Sequence, residues 1–300
     1  MTVTVRVPAK VNVQLAVGAV RPDGFHDLAN VFLAVGLYDE VTVAPADELR
    51  VTCSGPGADQ VPLDRSNLAA RAALALANRT GRVPHVHLHI AKDIPVAGGM
   101  AGGSADGAGA LLACDALWGT GATRAELLEL AAALGSDVPF SLVGGAALGT
   151  GRGERLRELP VGGAFHWVFA LADGGLSTPA VYREFDRLAA GRDEPVPPPV
   201  ASGALLTALR DGDPTALAAT LGNDLQPAAL SLYPSLADTL ATGTKAGALA
   251  ALVSGSGPTT AFLTADATAA RTVADALLDS GTCRAARVAQ APAPGATVLG

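Results

Sequence analysis

The chain has 300 residues, 49% of them hydrophobic and only 4% aromatic, which is ample for a packed core of small and branched aliphatics in one large or two medium domains. A formal net charge of −7 excludes a general polyanion binder, which needs a basic face; no nucleic-acid partner is expected, and any phosphate affinity has to be local. Cys53, Cys114 and Cys283 lie far apart with no Cys-x-x-Cys pair, which argues against a disulfide framework and a structural zinc site.

From the N-terminus, Thr2 to Val7, Val11 to Val17, Val31 to Leu37 and Glu40 to Val43 read as strands, with Arg21-Pro-Asp-Gly24 as a turn. No basic segment followed by an apolar run precedes them, so a cytoplasmic protein is expected. The uncharged stretch from Ala246 to Ala265 is interrupted by Gly255, Gly257 and Pro258, a poor membrane span, so no membrane partner is expected either. A helix is predicted from Asn67 to Asn78 with Ser66 as its N-cap. Val86, Leu88 and Ile90 then alternate with His85, His87 and His89, the period of a half-buried strand. The three histidines are read as a solvated strand face rather than a metal site, because no carboxylate or cysteine completes a ligand shell.

Residues 95 to 106, Pro-Val-Ala-Gly-Gly-Met-Ala-Gly-Gly-Ser-Ala-Asp, join this strand to an Ala- and Leu-rich helix from Ala105 to Trp118. Gly98, Gly99, Gly102 and Gly103 let the backbone turn through positive φ, and Ser104 sits where the helix starts, among unpaired N–H groups at the positive end of the helix dipole. Such a junction can cradle a phosphate, the alternative being a flexible glycine-rich turn. It is not a Walker A loop, since Gly103 is followed by Ser104 and Ala105 rather than by Lys, and its glycine spacing does not match the dinucleotide fingerprint.

Further along come a helix from Arg124 to Leu134, a turn at Gly135-Ser-Asp137 and a glycine-dense segment from Gly144 to Gly153. Phe165 to Ala172 reads as a buried strand and Pro195 to Pro199 as a surface loop. Helical segments follow near Leu205 to Arg210, Pro214 to Leu221 and Pro234 to Leu240. Strands at Ala248 to Val253 and Thr259 to Leu263 are joined by Ser254-Gly-Ser-Gly-Pro258, a helix from Asp266 to Leu278 ends at Gly281, and Cys283 to Gln290 is the last strand. The order predicts an α+β protein with a boundary near residue 158.

A phosphate cradle needs a base and a cation. Asp137 is the best carboxylate and Lys10 a lone cation in an apolar strand; the alternatives are a turn-capping aspartate and a snorkelling surface lysine. Five blocks occur together in order: Pro8-Ala-Lys-Val-Asn12, Arg21-Pro-Asp-Gly-Phe-His26, the glycine loop, Gly135-Ser-Asp-Val-Pro139 and Ser254-Gly-Ser-Gly-Pro-Thr259. The chain thereby resembles the GHMP small-molecule kinases, from Val7 to about Val288. The first block sets it apart from galactose- and mevalonate-type members, which usually carry Pro-Gly-Arg or Pro-Gly-Lys there.

The resemblance implies a two-domain α+β fold, ribosomal protein S5 domain 2-like over residues 1–158 and ferredoxin-like over 159–300. It implies ATP as co-substrate with Mg²⁺, although no carboxylate cluster announces a dedicated metal site, and a cytidine diphosphate-linked polyol of the non-mevalonate isoprenoid pathway as acceptor. Asp137 would take the proton of the acceptor's 2-hydroxyl and Lys10 would stabilise the developing charge. Pro95, Val96, Ala97, Gly98, Gly99, Met100, Ala101, Gly102, Gly103, Ser104 and Ala105 would wrap the ATP phosphates, and Asn67 would contact adenine. Asn12, Phe25, His26 and Tyr182 would hold the acceptor, with Phe25 replacing the family's usual Tyr and losing only a hydroxyl. The rival readings are a GHMP kinase for homoserine or a mevalonate derivative, and a catalytically silent nucleotide-binding protein.

Overall fold

In the computed structural model, which describes residues 2–96, 98–191 and 193–299, two long strands dominate the first half: β1 (Val3–Val20) and β2 (His26–Pro45). Each is one strand where two were expected, because irregularities at Pro8/Ala9, Asn12/Gln14 and Val17/Val20 absorb the interruptions while antiparallel pairing continues. The turn between them is the predicted one, with Gly24 at φ +81° and the Arg21 N–H bonded to the Phe25 carbonyl at 2.7 Å.

In chain order there follow β3 (Arg50–Ser54), α1 (Leu68–Thr80), β4 (Val86–Ala91), α2 (Gly102–Trp118), α3 (Arg124–Leu134), α4 (Val138–Val143), β5 (Ala146–Thr150) and β6 (Arg155–Leu159). The second half contains β7 (Phe165–Leu171), α5 (Thr178–Ala189), α6 (Gly203–Asp211), α7 (Pro214–Ala218), β8 (Gly222–Asn223), α8 (Gln226–Leu232) and α9 (Leu236–Lys245). It closes with β9 (Ala250–Val253), β10 (Thr260–Thr264), α10 (Ala267–Asp279), β11 (Ala285–Ala291) and β12 (Thr297–Leu299). The first sheet runs β12-β1-β2-β4-β3, with β5 joining β2, β6 joining β5 and β8 joining β1. The second runs β11-β7-β10-β9, antiparallel throughout, the ferredoxin-like order. All four strands of the second sheet lie beyond residue 158, whereas β8 and β12 return to the first. Among the described residues no helix is long and apolar enough to cross a membrane.

Helix α2 consists mainly of small apolar residues, is buried along most of its length and packs against β1 and β2. Gly109 permits the close approach: a Cβ there would lie 2.8 Å from Val41 and 2.9 Å from Val7. The same logic explains why β5 escaped the sequence reading. Its Gly149 is not a turn residue but a packing residue, since a Cβ would come within 2.7 Å of the Phe32 ring.

Two expectations are corrected locally. The N-cap of α1 is Asn67, whose Oδ1 accepts from the Ala69 N–H at 2.8 Å, while the Ser66 hydroxyl is turned to Asp64. Helix α2 starts at Gly102 instead of Ala105, so Ser104 is its third residue. The histidine face of β4 is solvent-facing as expected, His85 exposed and His87 and His89 half-buried, and it carries side-chain hydrogen bonds: Thr52 Oγ1 lies 2.7 Å from His87 Nε2 and 2.9 Å from His89 Nδ1, and His89 Nε2 lies 3.0 Å from Ser54 Oγ. No group of three or more potential metal-ligating side chains occurs among the described residues.

Candidate active site

Alternation along β1 sends Lys10 and Asn12 to one face, at the place where the glycine loop crosses the strand. The Lys10 N–H donates to the Met100 carbonyl at 3.2 Å, and Lys10 Nζ donates to the Gly99 carbonyl at 2.8 Å and to Asn12 Oδ1 at 2.6 Å. Asn12 is itself oriented by donation from Nδ2 to Asn30 Oδ1 at 2.7 Å. Lys10 is only 4% exposed, so it does not snorkel, and burial pulls its ammonium below the ordinary lysine range against the attraction of Asp137. The Asp137 carboxylate stands 3.7 Å from Lys10 Nζ with its side chain 31% exposed. Asp137 occupies the N-cap position of α4 but makes no side-chain cap bond, which leaves the carboxylate free to face the cleft.

The loop is locked from both sheets. Gly99 (φ +72°) lies so close to the β9–β10 turn that a Cβ would sit 2.1 Å from the Ser254 carbonyl, and Ser254 Oγ donates to the Gly99 carbonyl at 3.1 Å. Ala101 at φ +63° is the left-handed residue that turns the chain into α2, the only non-glycine with positive φ among the described residues. Behind it the first N–H groups of α2, at Gly102, Gly103 and Ser104, have no helical partners.

One continuous cleft of about 780 Å³ is lined by Lys10, Asn12, Gly98, Gly99, Ala101, Gly102, Gly103, Ser104 and Asp137 at one end and by Phe25, His26 and Tyr182 at the other. Four residues of the predicted phosphate loop have other places. Met100 and Ala105 are fully buried in the core and Pro95 is buried, so they anchor the loop, and Val96 lines a second hollow. Ala97 lies outside the described residues. At the far end the His26 ring is 7% exposed and packs 5.1 Å from Tyr182, while Phe25 is 49% exposed at the mouth.

The "GHMP kinases N terminal domain" family matches residues 67–145 and "GHMP kinases C terminal" matches residues 205–282. The chain is 79% identical to the 4-diphosphocytidyl-2-C-methyl-D-erythritol kinase of Streptomyces avermitilis and 77% identical to that of Streptomyces coelicolor, in both cases over 100% of each chain. The chain belongs to the 4-diphosphocytidyl-2-C-methyl-D-erythritol kinase family of GHMP kinases. Its structure superposes on the crystal structure of a 4-(cytidine 5′-diphospho)-2C-methyl-D-erythritol kinase with a TM-score of 0.78 at 32% identity, covering 96% of this chain and 99% of the other. The homoserine kinase of Cytophaga hutchinsonii gives 0.77 at 20% identity over 99% and 97% of the two chains, a likeness of fold alone.

Next to the loop of this GHMP kinase lies the second hollow, about 220 Å³, lined by Asn67, Val96, Gly103, Lys92 and Asp106 among others. The Asn67 side chain lines this hollow while it caps α1 and donates from Nδ2 to the Pro62 carbonyl at 2.6 Å. Beneath Gly102 is a group the sequence reading missed. Lys92 Nζ, 3.1 Å from where a Gly102 Cβ would be, is paired with Asp39 and, at 2.9 Å, with Asp106, all three buried. Asp39 Oδ1 also accepts from the Asp93 and Ile94 N–H groups at 2.7 and 2.9 Å, tying the loop's entry to β2. Burial opposes the charge on Lys92, but Asp106 and Asp39 outweigh it and hold the ammonium above its ordinary range. One positive charge cannot satisfy two carboxylates. Burial and the neighbouring Asp39 push Asp106 up to about 7 in spite of Lys92, and its Oδ1 has no hydrogen-bond partner.

Proposed function

We propose that the chain is the ATP-dependent kinase that phosphorylates the 2-hydroxyl of 4-diphosphocytidyl-2-C-methyl-D-erythritol in non-mevalonate isoprenoid biosynthesis, working in the cytoplasm. The observation that carries the reading is the single cleft holding the Lys10–Asp137 pair between a glycine-lined helix start and the Phe25, His26 and Tyr182 aromatics. The free N–H groups of Gly102, Gly103 and Ser104 hold the ATP phosphates, with the positive end of α2 behind them. Asp137 accepts the proton of the 2-hydroxyl. The oxygen then forms a bond to the γ-phosphorus as the bond to the ADP oxygen breaks, and the proton remains on the carboxylate. Lys10 stabilises the charge on the alkoxide and the moving phosphoryl group, its hydrogen bonds to Asn12 and Gly99 keeping the ammonium in place without neutralising it.

The donors in the cleft suit Mg²⁺: the Ser104 hydroxyl and the Asp137 carboxylate are hard oxygens, while Asp106 is sealed below. Ser104 and the substrate phosphates would hold the ion with water. When bound it draws charge from the phosphoryl oxygens. Asn12 holds the acceptor's polyol next to Lys10, and Phe25 and Tyr182 hold its base, with His26 at the base's edge.

Release of ADP from Mg-ATP in a coupled assay tests the proposal, with the diphosphocytidyl substrate, homoserine and mevalonate as parallel acceptors. Turnover with the first alone is expected. Folded protein that turns over either of the others, or none, contradicts it.

A further inference from the structure

The glycine-dense turn between β5 and β6 carries an arginine that neither the chemistry above nor the core uses. Strand β5 pairs with β2 from Leu33 back to Asn30, and beyond it the Leu28 N–H donates to the Gly151 carbonyl at 2.8 Å, so the turn is fixed along β2. Gly151 (φ +69°) and Gly153 (φ +106°) supply the left-handed steps on either side of Arg152, whose side chain lines the cleft. Its guanidinium carbon lies 5.2 Å from the centre of the Phe25 ring. The guanidinium makes no hydrogen bond among the described residues: Glu154 Oε2 stands 4.0 Å from its Nε and is engaged instead by the Arg152 main-chain N–H at 2.7 Å. Glu154 is shared with Arg155, whose Nε is 3.9 Å from Oε1, so the turn keeps a surplus of positive charge. Five N–H donors are thus held at the cleft by nothing stronger than an aromatic face.

We propose that Arg152 is a specificity-determining residue of the acceptor site, its guanidinium clamping the diphosphate that links the acceptor's base to its polyol. The inference rests on the acceptor reading above and adds to it the group that answers the acceptor's own charge. Phe25 and His26 mark one end of the cleft, and Asn30 leads through Asn12 to Lys10 at the other. The turn is tied to β2 between these ends, so an acceptor stretched from one to the other carries its diphosphate past Arg152. A planar guanidinium meets two phosphate oxygens with parallel N–H bonds, both of them charge-assisted. The contact with Phe25 is weak enough to give way to them, and it keeps the side chain over the cleft beforehand. Lys10 does not take this place, because it is buried and held beside Asp137 by the Gly99 carbonyl and Asn12. A bare polyol would leave the guanidinium unanswered, so the turn selects an acceptor with phosphate in its middle.

Steady-state kinetics with Mg-ATP and the diphosphocytidyl substrate test the assignment in the parent, Arg152→Met and Arg152→Lys, with cytidine as a competitive inhibitor that has the base but no phosphate. Arg152→Met should raise the acceptor KM by about 10- to 30-fold while kcat falls less than about threefold. The KM for ATP and the Ki of cytidine should stay within about twofold of the parent, and Arg152→Lys, which keeps the charge but not the fork, should recover part of the loss. An unchanged acceptor KM in Arg152→Met overturns the inference, and so does a loss confined to kcat. A cytidine Ki that rises by the same factor as the acceptor KM overturns it as well, because Arg152 then only packs against Phe25. These three outcomes leave the acceptor reading standing. Folded parent protein that binds ATP but does not phosphorylate the diphosphocytidyl substrate overturns the acceptor reading and this inference with it.

Discussion

Two buried lysines lie under the same glycine loop, and the fold treats them in opposite ways. Lys92 is enclosed by two carboxylates and held above its ordinary range, whereas Lys10 is held by an amide oxygen and a backbone carbonyl and pulled below it. The first arrangement joins β2, β4 and α2. The second leaves positive charge available beside Asp137, where a phosphoryl group would bring negative charge. A buried ammonium whose counter-ions are built in serves the structure; one without them, as at Lys10, suits the catalytic role proposed above.

The comparison predicts separable effects. Asp137→Asn should lower kcat by roughly 10²- to 10⁴-fold while ATP affinity, measured by titration, is retained. Lys10→Met should lower kcat by about 10²- to 10³-fold yet leave stability in urea within about 1 kcal/mol of the parent, because desolvation already penalises its charge. Lys92→Met should do the reverse first: stranding two buried carboxylates costs about 3–5 kcal/mol in urea denaturation. If the two lysine variants lose stability equally, the distinction between them fails.

Asp106 gives the comparison a pH axis. Its carboxyl is raised from 3.8 to about 7, so the native state keeps a proton that the unfolded chain releases at lower pH. Its contribution to stability is full below about pH 4 and is lost as pH climbs through about 7, by no more than about 4 kcal/mol. Asp106→Asn, which keeps the shape, should flatten this slope when urea midpoints at pH 5 and pH 8 are compared. The smallest effect is expected at Ala101, where removing the Cβ relieves a left-handed backbone but loosens the unfolded chain; Ala101→Gly should gain less than about 1 kcal/mol in thermal denaturation.

Residues whose meaning is local were legible in advance. The turn at Arg21 to Gly24 and the helix from Arg124 to Leu134 follow from spacing within a few residues, and so does the presence of a helix after the glycine loop, although its start lies three residues earlier than spacing suggested. Lys10 and Asp137 stood out as charges in apolar surroundings. Lys92 and Asp39 did not, because they are 53 residues apart in the chain and nothing in either neighbourhood signals the other. The partners of Asn67 were not legible either: only the structure shows its amide joined to the Pro62 carbonyl and the Ala69 N–H. In β5, Gly149, read only as part of a glycine-dense segment, makes room for the Phe32 ring on a neighbouring strand.

By itself the sequence determined the period of its strands and helices, the glycine-rich junction before α2 and the identity of the charged residues nearby, since these depend on backbone preferences over short spans. Only the tertiary structure decided which of those charges are consumed within the protein and which are left facing the cleft. Burial and pairing are set by chain segments far apart in sequence, and a charge's energy depends on what stands within a few ångströms of it in space.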